Sequence, residues 1–307
     1  MDKATVTVLF ITYNHGQYVR DALDSIMMQQ TDFPFKVVIG DDCSKDNTRE
    51  IIAEYAALYP DKILLAHPAQ NLGAEKNFNQ LMKRCIDLDG KYIAYLEGDD
   101  IWKDELRLQK LYDLLEADPS ASFAYGKYLN MGPDGQFIDC KIPPYRSGDI
   151  FKDVLTCQYL PSMHTSLFRT SIMKEIFNSS EYIGYDFYII TELARRGKAI
   201  YLDEFIFIYR ETTGSITKLV PEELSIQFRN IMMKYNDEFP QYVREGLDTG
   251  GRRLLYNQVE NDPSMRNLGR LLRTYNGTLI HNKYLIKWFF LQFRRTDKKH
   301  AVATQKS

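Results

Sequence analysis

Tyr92-Ile93-Ala94-Tyr95-Leu96-Glu97-Gly98-Asp99-Asp100 is the stretch on which the fold turns. Tyr92 to Leu96 is apolar or aromatic at every position, the pattern of a short strand buried on both faces. It ends in Glu97, Asp99 and Asp100, so a buried strand delivers carboxylates to its carboxyl end. The same arrangement recurs upstream. Thr5 to Ile11 (TVTVLFI) reads as a buried strand running into Thr12-Tyr13-Asn14. Lys36 to Gly40 (KVVIG) is a second strand, closed by Asp41-Asp42, and Ile63 to Ala66 is a third.

Helical stripes lie between these strands. Val19, Ala22, Leu23, Ile26 and Met27 fall on one helix face. Ile51, Ile52, Tyr55, Ala56 and Tyr59 form the next stripe, with Asn47 and Glu50 spaced as a capping box at its start. Phe78, Leu81, Met82, Cys85 and Ile86 form a third. Strands alternating with helices of about 10–15 residues predict βαβ units and a parallel sheet. Ligands of such sheets bind beyond the carboxyl ends of the strands, where all three polar clusters fall.

Further along, Leu106, Leu108, Leu111, Leu114 and Leu115 predict a helix after Trp102. Ser122 to Met131 and Gln136 to Cys140 read as two strands joined at Gly132-Pro133-Asp134-Gly135, a turn signal. Helices are expected at Ile150 to Leu155, Thr170 to Phe177 and Tyr185 to Arg196, and strands at Thr165 to Phe168, Lys198 to Leu202 and Phe205 to Tyr209. From about Pro221 the chain reads as helices joined by polar turns.

Composition narrows the function. Of 307 residues, 44% are hydrophobic and 26% charged, which excludes global disorder. Lys+Arg 39 against Asp+Glu 41 argues against nucleic-acid binding through whole-chain charge. Cys43, Cys85, Cys140 and Cys157 form no C-x-x-C pair, so neither a zinc site nor a redox motif is signalled. The opening MDKATVTVLFITYN lacks a signal-peptide pattern, and no run reaches the roughly 18 apolar residues of a membrane span. A reduced, cytoplasmic enzyme is expected. No G-x-G-x-x-G follows the first strand and no G-x-x-x-x-G-K-[ST] occurs, which disfavours a dinucleotide site and a P-loop NTPase.

Clustered carboxylates such as Glu97, Asp99 and Asp100 repel one another unless a cation sits among them. Oxygen ligands of this kind suit Mg2+ or Mn2+, and such an ion can neutralise a diphosphate leaving group. The plain alternative is a solvated loop capping the next helix. In Asp41-Asp42-x-Ser44-x-Asp46 a carboxylate can accept from a nucleobase N–H or a ribose hydroxyl. The alternative is a polar turn, with Asp46 and Asn47 as caps.

Taken together, these residues resemble the family 2 glycosyltransferases of the GT-A fold. The resemblance rests on the strand entering Thr12-Tyr13-Asn14, on Gly40-Asp41-Asp42-Cys43-Ser44-Lys45-Asp46-Asn47-Thr48, and on Leu96-Glu97-Gly98-Asp99-Asp100-Ile101-Trp102. Asn71-Leu72-Gly73 followed by Asn77-Phe78 also matches a family segment, and the whole covers roughly residues 4–214. It implies an α/β, nucleotide-diphospho-sugar transferase fold with a mostly parallel central sheet flanked by helices. Residues 1–214 would be the catalytic domain and 215–307 a C-terminal helical extension.

The resemblance also implies a nucleotide-sugar donor, usually a UDP-sugar, and an inverting, metal-dependent transfer. Thr12, Tyr13 and Asp42 would hold the uridine, with Asn14 and Asp41 beside it. Glu97 stands where the family usually has the first Asp of its D-x-D, which often meets the ribose. Asp99 would be the main metal ligand, for Mn2+ or Mg2+, and Asp100 would support it or touch the donor sugar. Lys76 would face the diphosphate, unless it is a solvated helix lysine. Inverting transfer needs a carboxylate to take the acceptor hydroxyl proton. In Gly184-Tyr185-Asp186-Phe187 that role falls to Asp186, with Glu181 as the alternative. His164, in Ser162-Met163-His164-Thr165-Ser166, falls where such enzymes often line the acceptor cleft. Relatives often carry a His shortly after a Tyr-Arg pair; here Tyr209-Arg210-Glu211-Thr212 has none, and Arg210 is expected to serve instead.

Residues 281–300 (HNKYLIKWFFLQFRRTDKKH) interleave basic and aromatic side chains. They suit a helix on an anionic membrane surface, which would place a lipid-linked acceptor nearby, or a helix docked on the catalytic domain or a second subunit. A glycan or lipid-linked acceptor in cell-surface polysaccharide assembly is the expected setting. Two other functions keep a nucleotide-binding sheet: a non-catalytic nucleotide or glycan module, and a sugar-nucleotide pyrophosphorylase. The second wants a Gly-rich basic loop after the first strand, which Thr12-Tyr13-Asn14-His15-Gly16 is not.

Overall fold

The computed structural model describes residues 4–138, 142–179, 182, 186–212 and 221–261. They fall in two compact units, one within Met1–Val154 and Tyr159–Thr213, the other within Leu155–Gln158 and Gly214–Ser307. The stretch 281–300, Glu181, the Gly184-Tyr185 ahead of Asp186, and positions 139–141 at the end of the expected hairpin strand lie outside the described residues.

The first unit is built on one nine-stranded sheet. β1 (Val6–Thr12) lies between β2 (Phe35–Asp41) and β4 (Tyr92–Glu97) and runs parallel to both. β3 (Ile63–Leu65) extends the sheet beside β2. β8 (Ser166–Arg169) runs antiparallel between β4 and β6 (Ala121–Met131). β9 (Lys198–Arg210) is parallel to β6, β5 (Ile101–Trp102) pairs antiparallel with β9, and β7 (Phe137–Ile138) pairs antiparallel with β6. Strands β1 to β4, β6 and β9 thus share one direction. The register alone sets Thr12 opposite Asp41 and Ile11 opposite Glu97, so three strand ends reach one rim.

All seven β1 positions are buried because both sheet faces are covered. On one face Val6, Val8 and Phe10 join a core with Leu23 and Ile26 of α1 (Val19–Met27), Ile52 of α2 (Thr48–Leu58), and Leu108 and Leu111 of α4 (Arg107–Ala117). α3 (Ala74–Asp87) packs on β1 and β2. Its Leu81 approaches Gly40 so closely that any Cβ there would collide with it. α5 (Phe151–Leu155), α6 (Thr170–Asn178) and α7 (Asp186–Arg196) complete the helices of this part of the chain. In the second unit α8 (Pro221–Lys234) and α9 (Pro240–Asn261) pack on each other. No helix among the described residues is long and apolar enough to cross a membrane.

Two local expectations are corrected, and one short strand is added. Asn47 caps nothing with its side chain; the first amide of α2, from Thr48, goes to Asp46 Oδ1 at 3.1 Å. Asp46 can do this through a two-residue side-chain turn, and its other oxygen takes the Gly16 N–H at 2.9 Å. The two strands expected at 198–209 are one strand, β9, because irregular register against β6 absorbs the polar Asp203-Glu204 interruption. Ile101-Trp102, too short to carry a periodic signal, form strand β5 before α4 begins at Arg107.

Candidate active site

The site lies at the carboxyl ends of β1, β2 and β4. The β1–α1 and β2–α2 loops are fastened together there. Asn14 donates its N–H to Ser44 Oγ at 2.8 Å, and its side-chain oxygen takes the Lys45 N–H at 2.8 Å. His15 donates its N–H to Thr48 Oγ1 at 3.0 Å. Asn14 therefore joins two loops, in a left-handed backbone conformation with φ 55°.

The two aspartates after β2 are turned inward. Asp41 is fully buried and accepts from the Ser44 N–H at 3.0 Å, the Ser44 hydroxyl and Arg49 Nε at 2.6 Å. Asp42 Oδ1 and Oδ2 take the amides of Leu72 at 2.7 Å and Gly73 at 2.8 Å, and Asn71 donates to the Asp42 carbonyl. Asp42 thus shapes the Asn71-Leu72-Gly73 loop, and its binding face is narrower than the sequence suggests. Tyr13 is exposed at the rim, Thr12 is buried with its hydroxyl unpartnered among the described residues, and Lys76 is exposed on the first turn of α3.

After β4 the backbone turns tightly. A Cβ on Gly98 would overlap Thr12 Oγ1 and crowd His15 Nδ1, so glycine lets the acidic turn press against β1. Glu97 Oε1 accepts from the Tyr95 hydroxyl at 2.5 Å and faces His164 Nε2 at 3.5 Å. Burial pushes the Glu97 carboxyl up, but His164 above all, with Tyr95 and His15, holds it down at about 2. His164 responds in the opposite sense: burial lowers it, while Glu97 first, then Asp100 and Asp186, raise it to about 9.

Asp100 is buried and accepts the Arg210 N–H at 2.9 Å; its Oδ2 has no partner among the described residues. Burial holds its carboxyl well above the usual range, His164 opposing and Asp99 and Glu97 reinforcing. Asp99 is raised by burial too, His15 opposing. Its Oδ2 lies 3.7 Å from His15 Nε2 and 3.4 Å from Thr212 Oγ1, and its Oδ1 is buried and has no partner among the described residues. Ligand atoms of Glu97, Asp100 and His164 all lie within 4.8 Å of one another. This grouping differs from the sequence expectation, which centred on Asp99. Asp186 opens α7, and although it reaches solvent, its crowded surroundings raise its carboxyl, with His164 opposing and Glu97 adding.

The side chain of Arg210 has partners of its own. Its guanidinium is buried against the Tyr18 ring, 4.7 Å from the centroid, and paired with Asp21 Oδ2 at 3.0 Å. Its backbone N–H reaches Asp100, while its side chain is engaged with α1 and the residue before it.

Two contributors were missed in the sequence. His15 meets Asp99 as above, and its only signal was its place directly after Tyr13-Asn14. Arg107 is fully buried, stacked 4.2 Å over Trp102, and donates to the carbonyls of His164 at 2.9 Å and Ser166 at 3.2 Å. Burial lowers its guanidinium to about 9, with Asp104 opposing. An arginine within the leucine stripe of α4 was the available clue.

The glycosyl transferase family 2 model matches residues 7–177, and the chain belongs to that family. An uncharacterized protein of Mycobacterium tuberculosis is 30% identical over 212 residues, 69% of this chain and 60% of that protein. The match thus spans about three fifths of that relative's length. The putative teichuronic acid biosynthesis glycosyltransferase TuaG of Bacillus subtilis is 31% identical over 137 residues, 45% of this chain and 52% of that one. Among solved structures, S. aureus TarS 1–349 in complex with UDP-GlcNAc superposes with a TM-score of 0.67 at 19% identity, covering 88% of this chain and 79% of that one. The mannosyltransferase PcManGT from Pyrobaculum calidifontis, in complex with GDP-Man and Mn2+, gives 0.58 at 15% identity, covering 94% and 84%. The fold is GT-A.

Proposed function

We propose that this protein transfers a sugar, a hexosyl or N-acetylhexosaminyl group, from a UDP-sugar to a hydroxyl of a glycan or lipid-linked acceptor, with inversion, in cell-surface polysaccharide assembly. The observation that carries the reading is the convergence of Glu97, Asp100 and His164 beside Asp186, on the rim where β1 and β2 also end. That TuaG is named for teichuronic acid synthesis, and that TarS binds UDP-GlcNAc, supports the choice of donor and setting. Residues 1–214 are assigned to catalysis and 215–307 to an extension.

The residues fit a divalent cation. Asp100 Oδ2 and Asp99 Oδ1 are buried acceptors without partners among the described residues, a costly state that a cation relieves. Glu97, Asp100 and His164 would hold it, Asp99 being the further oxygen, and a mixed oxygen–nitrogen set favours Mn2+ over Mg2+. Such an ion supplies positive charge against the departing diphosphate. To serve as a ligand, His164 would have to be in its neutral form.

Asp186 accepts the proton of the acceptor hydroxyl as that oxygen attacks the anomeric carbon. Its raised affinity for protons brings it closer to the working range of a general base. Thr12 and Tyr13 flank the nucleoside, and Lys76, exposed on the first turn of α3, faces the diphosphate. Release of UDP from UDP-sugars, with Mn2+ and an acceptor panel, tests the reading. UDP release that Asp186→Asn suppresses supports it; no release from any nucleotide-sugar, together with UDP binding, favours a non-catalytic module.

A further inference from the structure

β2 is longer than its neighbour β3, and the mismatch leaves an amide to be satisfied. Ala66 still donates to the Ile39 carbonyl at 2.8 Å, but β3 has ended at Leu65. The next outward-facing amide, that of Asp41, finds no strand carbonyl. His67 Nδ1 accepts it instead, at 3.1 Å. An imidazole thus takes the place of a strand backbone at the carboxyl edge of the sheet.

That bond fixes the ring's chemistry. Burial lowers the proton affinity of His67, with Arg49 adding and Asp41 opposing, so the ring is neutral near pH 7. With Nδ1 accepting, the proton resides on Nε2. The residue is partly exposed and follows the carboxyl end of β3, which leaves Nε2–H as the ring's second polar group, the one not used by the Asp41 amide. Its neighbours are not available in the same way. Asp41 Oδ1 accepts from the Ser44 hydroxyl and Oδ2 from the Ser44 N–H and Arg49, while the two Asp42 oxygens accept from the amides of Leu72 and Gly73. The acids expected to accept from a base already hold protein donors on every oxygen, while the ring donor beside them has no hydrogen-bond partner among the described residues.

We propose that His67 is a specificity residue for the donor's nucleobase, its Nε2–H donating to the C4 oxygen of uracil. Cytosine carries an amino group at that position and would set donor against donor. The inference rests on the nucleotide-sugar reading above and goes beyond it, because it names the atom by which the base is recognised.

UDP and CDP share ribose and diphosphate, so their comparison isolates the base. Titration calorimetry with Mn2+ present would measure both on the wild type, His67→Asn and His67→Gln. Asparagine keeps an acceptor near the Nδ1 position for the Asp41 amide and lacks the outer donor; glutamine keeps a donor near the Nε2 position. The wild type should bind UDP about 3- to 10-fold more tightly than CDP, the range of one hydrogen bond. His67→Asn should bind the two alike while melting near the wild type without nucleotide, and His67→Gln should recover part of the preference. If the wild type prefers UDP and His67→Asn keeps that preference, or if glutamine recovers nothing over asparagine, the role of His67 is wrong while the nucleotide-sugar reading stands. Equal binding of UDP and CDP by the wild type also overturns it. If no nucleoside diphosphate binds the wild type, both fall.

Discussion

Glu97 Oε1 and His164 Nε2 lie 3.5 Å apart, one from the end of β4 and the other from a 3-10 turn (Met163–Thr165) leading into β8. Each fixes the other's charge: the carboxyl is held near 2 and the imidazole near 9. The pair exists because His164 is positioned from both ends. Its Nδ1 meets Ser162 Oγ at 3.1 Å, and its carbonyl accepts from the buried Arg107. A surface ion pair of this length would contribute little, but this one stands among Asp99, Asp100 and Asp186, where any fixed positive charge changes the behaviour of three acids.

Asp100 should give opposite answers in stability and function. Its proton affinity is raised in the fold, so ionisation costs stability that is lost as pH rises above the ordinary carboxylate range. Asp100→Asn removes that cost and can still accept the Arg210 N–H. At pH 7 the variant without metal should be more stable by about 0.5–2 kcal/mol. The further rise in melting temperature given by Mn2+ with UDP should disappear. Differential scanning calorimetry with and without Mn2+ reads both, and a variant that keeps the Mn2+ increment would remove Asp100 from the cation site.

Asp186→Asn should separate binding from chemistry. The change is nearly isosteric at the first turn of α7, but the amide cannot take a proton from the acceptor. Turnover should fall by about 10²–10⁴-fold, the usual contribution of a general base. UDP binding should stay within a few-fold of the wild type. A variant with unchanged turnover would move the base elsewhere, and Asp186 would be left as an acid favoured by the helix dipole.

The parallel half of the sheet was legible because its strands are buried on both faces. Val6 to Thr12 has no polar alternation to blur it, and the carboxylates at the ends of β2 and β4 stand at abrupt changes from apolar to acidic. What stayed hidden depends on contacts between distant segments. Arg210 reads as a free cation beside a tyrosine, yet Asp21 and Tyr18 of α1 and the loop before it claim its side chain. Asp42 reads as a nucleoside contact, and nothing in the sequence shows that the amides of Leu72 and Gly73 also bind its two oxygens. His67 carried no motif at all; its place follows from the unequal lengths of β2 and β3.

The neutral state of His67 should be visible in acid. Burial lowers its proton affinity in the folded chain below the ordinary 6.5, with Arg49 assisting and Asp41 resisting. As pH falls through 6.5 the unfolded chain therefore binds a proton before the folded one, and stability is lost. Urea midpoints at pH 7.5 and 5.5 would compare the wild type with His67→Asn. The wild type should lose more stability than the variant across that interval. Equal losses would mean that His67 titrates as in the unfolded chain.

Asp42 should prove structural first and functional second. Its two oxygens accept from consecutive amides, Leu72 and Gly73, and Asn71 holds its carbonyl, so one residue organises the whole entry to α3. Removing the carboxylate leaves two amides without their charged acceptor, and bonds of that type contribute about 1.5–3 kcal/mol each before water replaces them. Because the loop is partly exposed, water can recover part of this, and Asp42→Ala should lose about 1–3 kcal/mol overall. The sharper measurement is amide hydrogen exchange. Protection of Leu72 and Gly73 should collapse in Asp42→Ala, while Val8 and Phe10 in the centre of β1 keep theirs until global unfolding. If the two amides stay protected, the loop holds itself, and Asp42 returns to the role of a residue reserved for the nucleoside.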